Sequence, residues 1–166
     1  KPLVVMTPKS LLRHPLAISF VEEVLSGHFE TVLDEQDDIE PAQVERVVLC
    51  SGKIYFDLLE RRRSGSLHEV AIIRIEQLYP FPHCDLERIL DGYPNYLRLV
   101  WCQEEPLNQG AWFMVNPLLQ LLLKTDAVLN NVGRPASAAP AVGNFHIHKQ
   151  QQQELVIAAL GIGVEG

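Results

Sequence analysis

The sequence predicts an α/β protein, a three-layer α/β/α sandwich with a mostly parallel sheet. Along most of the 166 residues, short apolar runs of high strand propensity alternate with segments whose apolar residues recur at helical spacing. Turn signals separate these segments, and the short connections suit right-handed crossovers. Strands that alternate with helices of this length are typical of a parallel sheet covered on both faces.

The predicted elements form an irregular start followed by a regular series. Residues 2–6 are predicted to form a short strand, and residues 16–25 a helix that ends at Gly27. The acidic residues 34–41 are predicted to be a solvated connector, because they cannot bury enough apolar surface to order themselves. The later segments are strands at 46–50, 69–75, 97–101 and 127–132, helices at 53–63, 84–90, 111–123 and 148–160, and a loop at 133–143.

Composition and charge exclude several classes of function. The chain has 21 acidic and 14 basic residues, a net charge of −7, which tells against general nucleic-acid binding but leaves a local basic pocket open. No apolar run approaches the roughly 18–20 residues that span a bilayer. The first residues also lack the pattern of a secretory signal. Neither a nucleic acid nor a membrane is therefore expected as a partner.

The three cysteines are an odd number at wide spacing, and they form no CxxC motif. A reducing, cytosolic environment is therefore expected rather than a disulfide framework. Cys50 and Cys102 each end an apolar run, which favours small buried side chains over reactive thiols. The chain begins at Lys1 rather than at methionine, and we expect it to be a fragment of a longer protein.

The sequence does not contain the common motifs for metal, hydrolase or dinucleotide sites. The six histidines have neither HExxH nor zinc-finger spacing, and no serine lies in a GxSxG context. Residues 161–166 spell GxGxxG, but a helix rather than a strand is predicted before them, so a dinucleotide site is not expected. We expect no bound metal in this chain.

A candidate anion site lies in the turn between the first strand and the first helix of the regular series. Ligands of open α/β sheets bind beyond the carboxyl ends of the strands, and a helix start favours negative charge. Gly52 allows a tight turn there and Lys53 adds a positive charge. The residues predicted to gather at this sheet edge and bind a phosphate-bearing ligand weakly are Lys9, Arg13, Ser51, Gly52, Lys53 and Arg74.

Within this group, Arg13 is the expected contact from the segment that follows the first predicted strand. The alternative is that the bases pair with Glu76, Glu104 or Glu105 and only stabilise an interface.

Two adjacent acids follow the strand at 97–101. Glu104 and Glu105 could be catalytic carboxylates, one with its pKa raised by burial. Adjacent acids at a strand end usually diverge, however, one pairing inward and the other facing solvent. A structural and interface role is therefore favoured for the motif that contains Gln103, Glu104, Glu105, Asn108, Gln109 and Gly110.

Four stretches of this sequence resemble one known family. Residues 74–82 (RIEQLYPFP) and 101–112 (WCQEEPLNQGAW) are similar to signatures of the C-terminal part of the E1 component of 2-oxoglutarate dehydrogenase. Residues 7–15 (TPKSLLRHP) and 133–143 (GRPASAAPAVG) agree with the same family, in the same order along the chain.

The resemblance implies a division into three parts. Residues 1–15 resemble the exit strand of a pyrimidine-binding domain, residues 16–45 are the helix and acidic connector, and residues 46–166 resemble a transketolase C-terminal domain. In this family the residues that bind thiamine diphosphate and magnesium lie upstream of this domain. The resemblance therefore implies that the fragment binds no cofactor and contributes no catalytic residue.

The resemblance also implies a function for the whole enzyme. Such an enzyme decarboxylates 2-oxoglutarate oxidatively in the citric acid cycle and transfers the succinyl group to the lipoyl group of its E2 partner. Implied partners are a second copy in a homodimer, the E2 succinyltransferase, the E3 component and a regulator such as AMP or acetyl-coenzyme A. The implied location is the cytoplasm in bacteria or the mitochondrial matrix in eukaryotes.

Three alternatives to this function stay open. The chain could be the same domain of a 2-oxoadipate or other 2-oxo acid dehydrogenase E1 component, since substrate choice is made upstream. It could also be a stand-alone anion-binding α/β module, or a free-standing enzyme of another class.

Overall fold

The computed structural model describes residues 1–5 and 7–163. The GxGxxG motif at 161–166 therefore lies partly outside the described residues, since its last three positions are not covered. The chain divides into two compact units, Lys1–Glu30 and Thr31–Gly166. The second unit thus includes residues 31–45, which were predicted to belong with the helix and acidic connector of residues 16–45.

The first unit contains little regular structure. It has a 3₁₀ helix at Lys9–Leu11 and helix α1 at Val21–Ser26. The predicted strand at 2–6 is wrong, because residues 2–5 form neither strand nor helix; a strand needs a neighbour to bond with, and periodicity alone does not supply one. Helix α1 begins later than predicted, where the Glu23 carboxylate accepts the backbone N–H of Phe20 at 2.8 Å.

A five-stranded sheet with the order β1-β3-β2-β4-β5 forms the second unit. β1 is antiparallel to β3, and the other neighbours are parallel, which confirms the predicted α/β class. The strands are β1 Val32–Leu33, β2 Arg46–Cys50, β3 Val70–Ile75, β4 Arg98–Pro106 and β5 Val128–Arg134. The helices are α2 Ile54–Gly65, α3 His83–Asp91, α4 Trp112–Leu122 and α5 Phe145–Leu160, with a further 3₁₀ helix at Pro41–Gln43.

Alternate residues of the buried strands point to opposite faces of the sheet, and helices cover both. On one face, side chains of α3 and α4 pack against strand residues such as Leu49, Leu99 and Trp101. Helices α2 and α5 pack together, and α5 also lies against β2, β4 and β5. The sheet is therefore the middle layer of three, and its central strand β2 is covered on one side by the last helix of the chain.

Helix α5 begins three residues earlier than predicted. The side-chain oxygen of Asn144 accepts the backbone N–H groups of His146 and Ile147, at 2.9 and 3.2 Å. An asparagine in this position satisfies amides that the first helical turn leaves unpaired. The cap therefore extends the helix to Phe145, beyond the apolar periodicity that predicted a start at His148.

The acidic connector is ordered, contrary to the prediction, although Asp34, Gln36, Asp38, Glu40 and Pro41 are exposed. The side chain of Glu35 is 4% exposed and accepts two hydrogen bonds from Arg62, at 2.5 and 2.9 Å. Glu35 also accepts the backbone N–H of Ile72 at 2.8 Å. Asp37 pairs with both Arg62 and Arg63. Arginines of α2, distant in sequence, therefore order the segment. The composition of the segment alone could not predict these ion pairs.

A tyrosine hydroxyl ties the connector to the sheet unit as well. Tyr93 donates a hydrogen bond to Asp34 Oδ1 at 2.8 Å. Burial, together with this hydrogen bond to a carboxylate, raises the pKa of Tyr93 above the ordinary tyrosine value. The phenol therefore stays protonated at neutral pH and remains a donor.

Candidate functional site

Polar side chains meet where the carboxyl ends of β2, β4 and β5 lie side by side. Strand ends and the following turn supply Lys53, Glu104 and Arg134, while α2 supplies Asp57 and α5 supplies Gln152. We call these five residues the edge cluster. In an open α/β sheet this edge is the usual place for a ligand.

Gln152 connects the members of the edge cluster. Its amide nitrogen donates to Asp57 Oδ2 at 2.8 Å and to Glu104 Oε1 at 2.9 Å. Its amide oxygen accepts a hydrogen bond from Arg134 Nη2 at 2.9 Å. Lys53 and Glu104 form an ion pair. Two cations and two carboxylates therefore share the cluster, and their formal charges cancel.

Arg134 is the most buried charged member of the edge cluster. The residue is 6% exposed, and its Nε atom has no hydrogen-bond partner among the described residues. A buried donor without a partner is unfavourable and is therefore a position at which an acceptor would be stabilised.

The predicted anion turn has the expected geometry at its centre. Gly52 has a φ of +75°, which an L side chain adopts only with strain, and Lys53 immediately precedes α2. No side chain caps the first turn of α2. Ser51, Gly52 and Lys53 therefore lie beside the amino end of a helix at the carboxyl edge of the sheet, as predicted.

Of the other predicted anion contacts, Arg74 is already paired. Arg74 Nε lies 2.6 Å from Glu76 Oε1, and its guanidinium lies over the Tyr55 ring at 4.6 Å. Lys9 and Arg13 are exposed residues of the first unit. Their participation in a ligand site stays a prediction.

The buried thiols are not activated nucleophiles. Cys50 and Cys102 occupy paired positions on β2 and β4, and both are buried, as predicted. Burial raises the pKa of Cys50 to about 12 and that of Cys102 well above its ordinary value. Both groups are therefore protonated at neutral pH, and a thiolate is what nucleophilic chemistry would need.

The two adjacent acids diverge as the alternation of strand residues requires. Glu104 turns inward to the edge cluster, where it contacts Lys53 and Gln152. Glu105 is exposed. With one acid paired and the other solvated, this geometry does not form a pair of catalytic carboxylates.

Gln103 organises the loop between β4 and α4. Its side-chain oxygen accepts the indole N–H of Trp101 at 2.9 Å and the backbone N–H of Trp112 at 3.0 Å. Its amide nitrogen donates to the carbonyl oxygens of Pro106 at 3.1 Å and Gln109 at 2.9 Å. One buried amide therefore holds both ends of the loop.

The same loop is joined to the loop after β5. Asn108 exchanges two hydrogen bonds with the backbone of Ser137, each of 2.9 Å. The Gln109 amide donates to the Ser137 carbonyl oxygen at 3.0 Å. These contacts are structural, and they connect two of the stretches on which the family resemblance rests.

Sequence reasoning did not identify several of these residues. Asp57, Gln152 and Ser137 carry no motif, and they reach the edge cluster or the loop only through the packing of α2, α5 and the loop after β5. Arg134 was predicted to lie in the loop at 133–143, but β5 continues to Arg134 and buries it.

Replacing Gly110 by alanine is expected to lower the free energy of unfolding by about 1–3 kcal/mol. Gly110 has a φ of +66°, and an added Cβ would lie 2.9–3.1 Å from side-chain atoms of Gln103. Urea unfolding measures the change. Gly143→Ala is the matched control, because an added Cβ meets nothing within 4 Å there and the φ is ordinary. Equal stability of the two variants would show that Gly110 is not needed for its positive φ or for the close approach of Gln103.

Metal-binding clusters and membrane-spanning helices are both absent from the residues that the structure describes. No group of three or more His, Cys, Asp or Glu side chains there could hold a metal ion. None of the described helices is both long and apolar enough to cross a membrane.

Comparison with known proteins identifies the family. Residues 18–160 match the family model described as 2-oxoglutarate dehydrogenase C-terminal. The 2-oxoglutarate dehydrogenase E1 component of Haemophilus influenzae is 52% identical over 160 residues, which cover 96% of this chain and 17% of that protein. The E1 component of Cupriavidus necator is 48% identical over 159 residues, again 96% of this chain and 17% of that protein.

A third relative agrees with these two. The oxoglutarate dehydrogenase of Buchnera aphidicola is 49% identical over 162 residues, or 98% of this chain and 18% of that protein. The chain thus spans less than a fifth of the length of the curated relatives it matches. The resemblance inferred from the four sequence stretches is confirmed, and the chain belongs to the 2-oxoglutarate dehydrogenase C-terminal family.

Proposed function

We propose that this chain is the C-terminal domain of a thiamine-diphosphate-dependent 2-oxoglutarate dehydrogenase E1 component. The whole enzyme would decarboxylate 2-oxoglutarate oxidatively and transfer the succinyl group to the lipoyl group of E2. The observation that carries the proposal is the family match over residues 18–160, together with about 50% identity to E1 components in bacteria. A 2-oxoadipate dehydrogenase E1 component is the alternative within the same chemistry.

The domain itself is proposed to be a structural and regulatory part of that enzyme. Its two carboxylates at the sheet edge are already engaged, Glu104 by Lys53 and Asp57 by Gln152, and its buried thiols are protonated. The magnesium and thiamine diphosphate of the whole enzyme are proposed to be held by parts of a longer chain, as the family assignment implies.

The proposed partners follow from the same assignment. They are a second copy of the E1 chain in a homodimer, the E2 succinyltransferase and the E3 component. The odd number of cysteines supports a reducing location, which for a bacterial enzyme is the cytoplasm.

The purified 166-residue chain is expected to show no turnover of 2-oxoglutarate, even with thiamine diphosphate and magnesium. The reason is that the groups which would activate the cofactor are proposed to lie elsewhere. An artificial electron acceptor reports decarboxylation directly in this assay. Measurable turnover by a pure sample would contradict the proposal.

A domain exchange tests the proposed function positively. The segment of the Haemophilus influenzae E1 component that aligns with this chain is replaced by this chain, and turnover of 2-oxoglutarate is measured. Turnover close to that of the parent is expected, and the same protein without the segment is the control. A folded chimera without activity would contradict the proposal, and a preference for 2-oxoadipate would favour the alternative.

We also propose a regulatory anion site for a ligand that resembles AMP or acetyl-coenzyme A. It would use Ser51, Gly52 and Lys53, with Arg13 as the contact from the other segment. The supporting observation is that an uncapped helix start, Lys53 and the unpaired Arg134 Nε occur at the same sheet edge. A bound phosphate would compete with Glu104 for Lys53, so weak binding is expected.

Titration with AMP or acetyl-coenzyme A is expected to move the backbone amide signals of Ser51, Gly52 and Lys53. Lys53→Ala should weaken this binding by about tenfold, because it removes a charge-assisted contact. Arg88→Ala is the control, since Arg88 is exposed on α3, on the opposite face of the sheet. If the amides do not move at millimolar ligand, the turn is structural only and its bases serve to pair with acids.

A further inference from the structure

A pocket of about 480 Å³ lies at the opposite edge of the sheet from the edge cluster. Two loops form it, residues 94–97 before β4 and residues 124–127 before β5. Because β4 and β5 are parallel, both loops lie beside the amino ends of these strands. The volume is within the range of small-molecule sites, and the proposed function does not use this part of the domain. We call it the amino-edge pocket.

Lys124 supplies a positive charge to the amino-edge pocket. Its ammonium group donates a hydrogen bond to the Tyr93 carbonyl oxygen at 2.7 Å and lies over the Tyr96 ring, 4.7 Å from the ring centroid. An ammonium group has three N–H donors, so two are left for other acceptors. Among the described residues, no carboxylate forms an ion pair with Lys124. A half-buried cation in this state is a position at which an anion would be stabilised.

The phenol under this ammonium group is a second donor. Tyr96 lines the pocket and is 2% exposed, and its hydroxyl oxygen has no hydrogen-bond partner among the described residues. Burial raises the pKa of Tyr96 by more than the nearby backbone N–H of Lys124 lowers it, so the hydroxyl stays protonated at neutral pH. Its proton therefore lacks an acceptor, which is unfavourable for a buried polar group.

The two donors are close enough to act on one group of a ligand. The hydroxyl of Tyr96 is bonded to the same ring that lies under the Lys124 ammonium group. A carboxylate has two oxygens that accept hydrogen bonds, so one such group can contact both side chains. The hydrogen bond from the ammonium group would be of the stronger, charge-assisted kind.

The other walls of the amino-edge pocket restrict the class of ligand. Pro94, Leu97 and Ala127 supply apolar surface, which suits the hydrocarbon part of a small molecule. Asp126 also lines the pocket, and the whole chain has a net charge of −7. Both repel a doubly charged phosphate more strongly than a singly charged carboxylate. A small molecule with one carboxylate and an apolar body therefore fits the pocket best.

We propose that the amino-edge pocket binds a small monocarboxylate, whose oxygens accept hydrogen bonds from Lys124 and Tyr96. This site is separate from the predicted anion turn at residues 51–53, because the two lie at opposite edges of the sheet. It is also independent of 2-oxoglutarate turnover and of the family assignment. A negative result here would therefore leave the proposed function intact.

Titration of the 166-residue chain with benzoate, followed through the backbone amide signals, tests the proposal. Saturable shifts at Tyr96, Leu97 and Lys124 are expected, with a dissociation constant of about 1 mM for a ligand this small. Benzamide has a similar shape without the charge and should bind at least about tenfold more weakly. Phenyl phosphate should also bind more weakly than benzoate, because it carries a second negative charge.

Two variants separate the contributions of the two donors. Lys124→Met removes the charge but keeps a long side chain, and it should weaken benzoate binding by at least about tenfold. Tyr96→Phe should weaken binding by about threefold without lowering stability to urea, because it removes a hydroxyl that has no partner. Lys149→Met removes the same charge from an exposed position of α5 and should leave binding unchanged. Circular dichroism confirms that each variant is folded.

The absence of saturable shifts at about 20 mM benzoate would overturn the proposal. Equal binding of benzamide, or an unchanged affinity in Lys124→Met, would overturn it as well. Tighter binding of phenyl phosphate would show that the pocket selects phosphates and not carboxylates. Shifts confined to residues 51–53 would show that the carboxylate binds at the other edge of the sheet, which would also contradict this site.

Discussion

Trp101→Ala is expected to lower the free energy of unfolding by about 3–5 kcal/mol. Trp101 is 1% exposed in β4 and packs in the core that α3 and α4 cover. Its indole N–H also donates to Gln103, so the substitution leaves both a cavity and a buried acceptor with one partner fewer. The effect therefore combines lost packing with a weakened β4–α4 loop.

Urea unfolding measures this change, and Phe145→Ala is the control. Phe145 is a large aromatic residue that is 72% exposed, so its removal should change stability by only about 0.5 kcal/mol. A Trp112→Phe variant keeps Trp101 as its single tryptophan and should fluoresce at short wavelength with little quenching by iodide. A loss below about 1 kcal/mol, or red-shifted and readily quenched emission, would contradict burial.

Arg62→Met is expected to lower the free energy of unfolding by a similar amount, about 3–5 kcal/mol. Arg62 and Glu35 have side chains that are only 3% and 4% exposed, so the substitution leaves a buried carboxylate without its cation. Removing both partners in Arg62→Met with Glu35→Met should cost less than the sum of the single changes. Strictly additive losses in the double-mutant cycle would show that the pair does not interact.

Acid should weaken the ion pairs that Asp37 forms with Arg62 and Arg63. A hydrogen bond from Arg63 lowers the pKa of Asp37 below its ordinary value of 3.8, against the opposing effect of burial, and Arg62 also contributes. Because the folded-state pKa is the lower one, the ionised carboxylate stabilises the fold above pH 3.8, and the contribution is lost as the pH falls through the folded-state pKa. The stability difference between the parent chain and Asp37→Asn should therefore shrink in that range and stay constant near neutral pH.

The sequence predicted the sheet well because its strands are buried on both faces. Residues such as Val47, Val48 and Leu49 form continuous apolar runs, and a run of this kind indicates a parallel strand without reference to any partner. The segment at residues 2–6 was predicted as a strand from a comparable apolar run, but its described residues, 2–5, form no strand. Composition therefore identified strand propensity there but could not establish pairing.

Only the part of the candidate site that is contiguous in the sequence was predicted. Ser51, Gly52 and Lys53 were expected at the carboxyl edge because a turn between strand and helix is a local pattern. The partners of Lys53 and Arg134 come from distant elements, and Gln152 is one of four consecutive glutamines in α5. Only the rotation of α5 against the sheet selects Gln152 for the edge cluster, and no pattern in the sequence records that rotation.

The position of α5 over β2 has a consequence for the order in which this domain can form during synthesis. The strand order β1-β3-β2-β4-β5 lets each new strand after β3 join the free side of a strand already made. The helix that covers β2 on one face, however, follows all five strands in the chain. Until residues 145–160 emerge, that apolar face has only α2 to cover it, so a nascent chain would expose it to chaperones or to aggregation. Completion of the core is thus a late, long-range event, which favours slow folding over rapid local assembly.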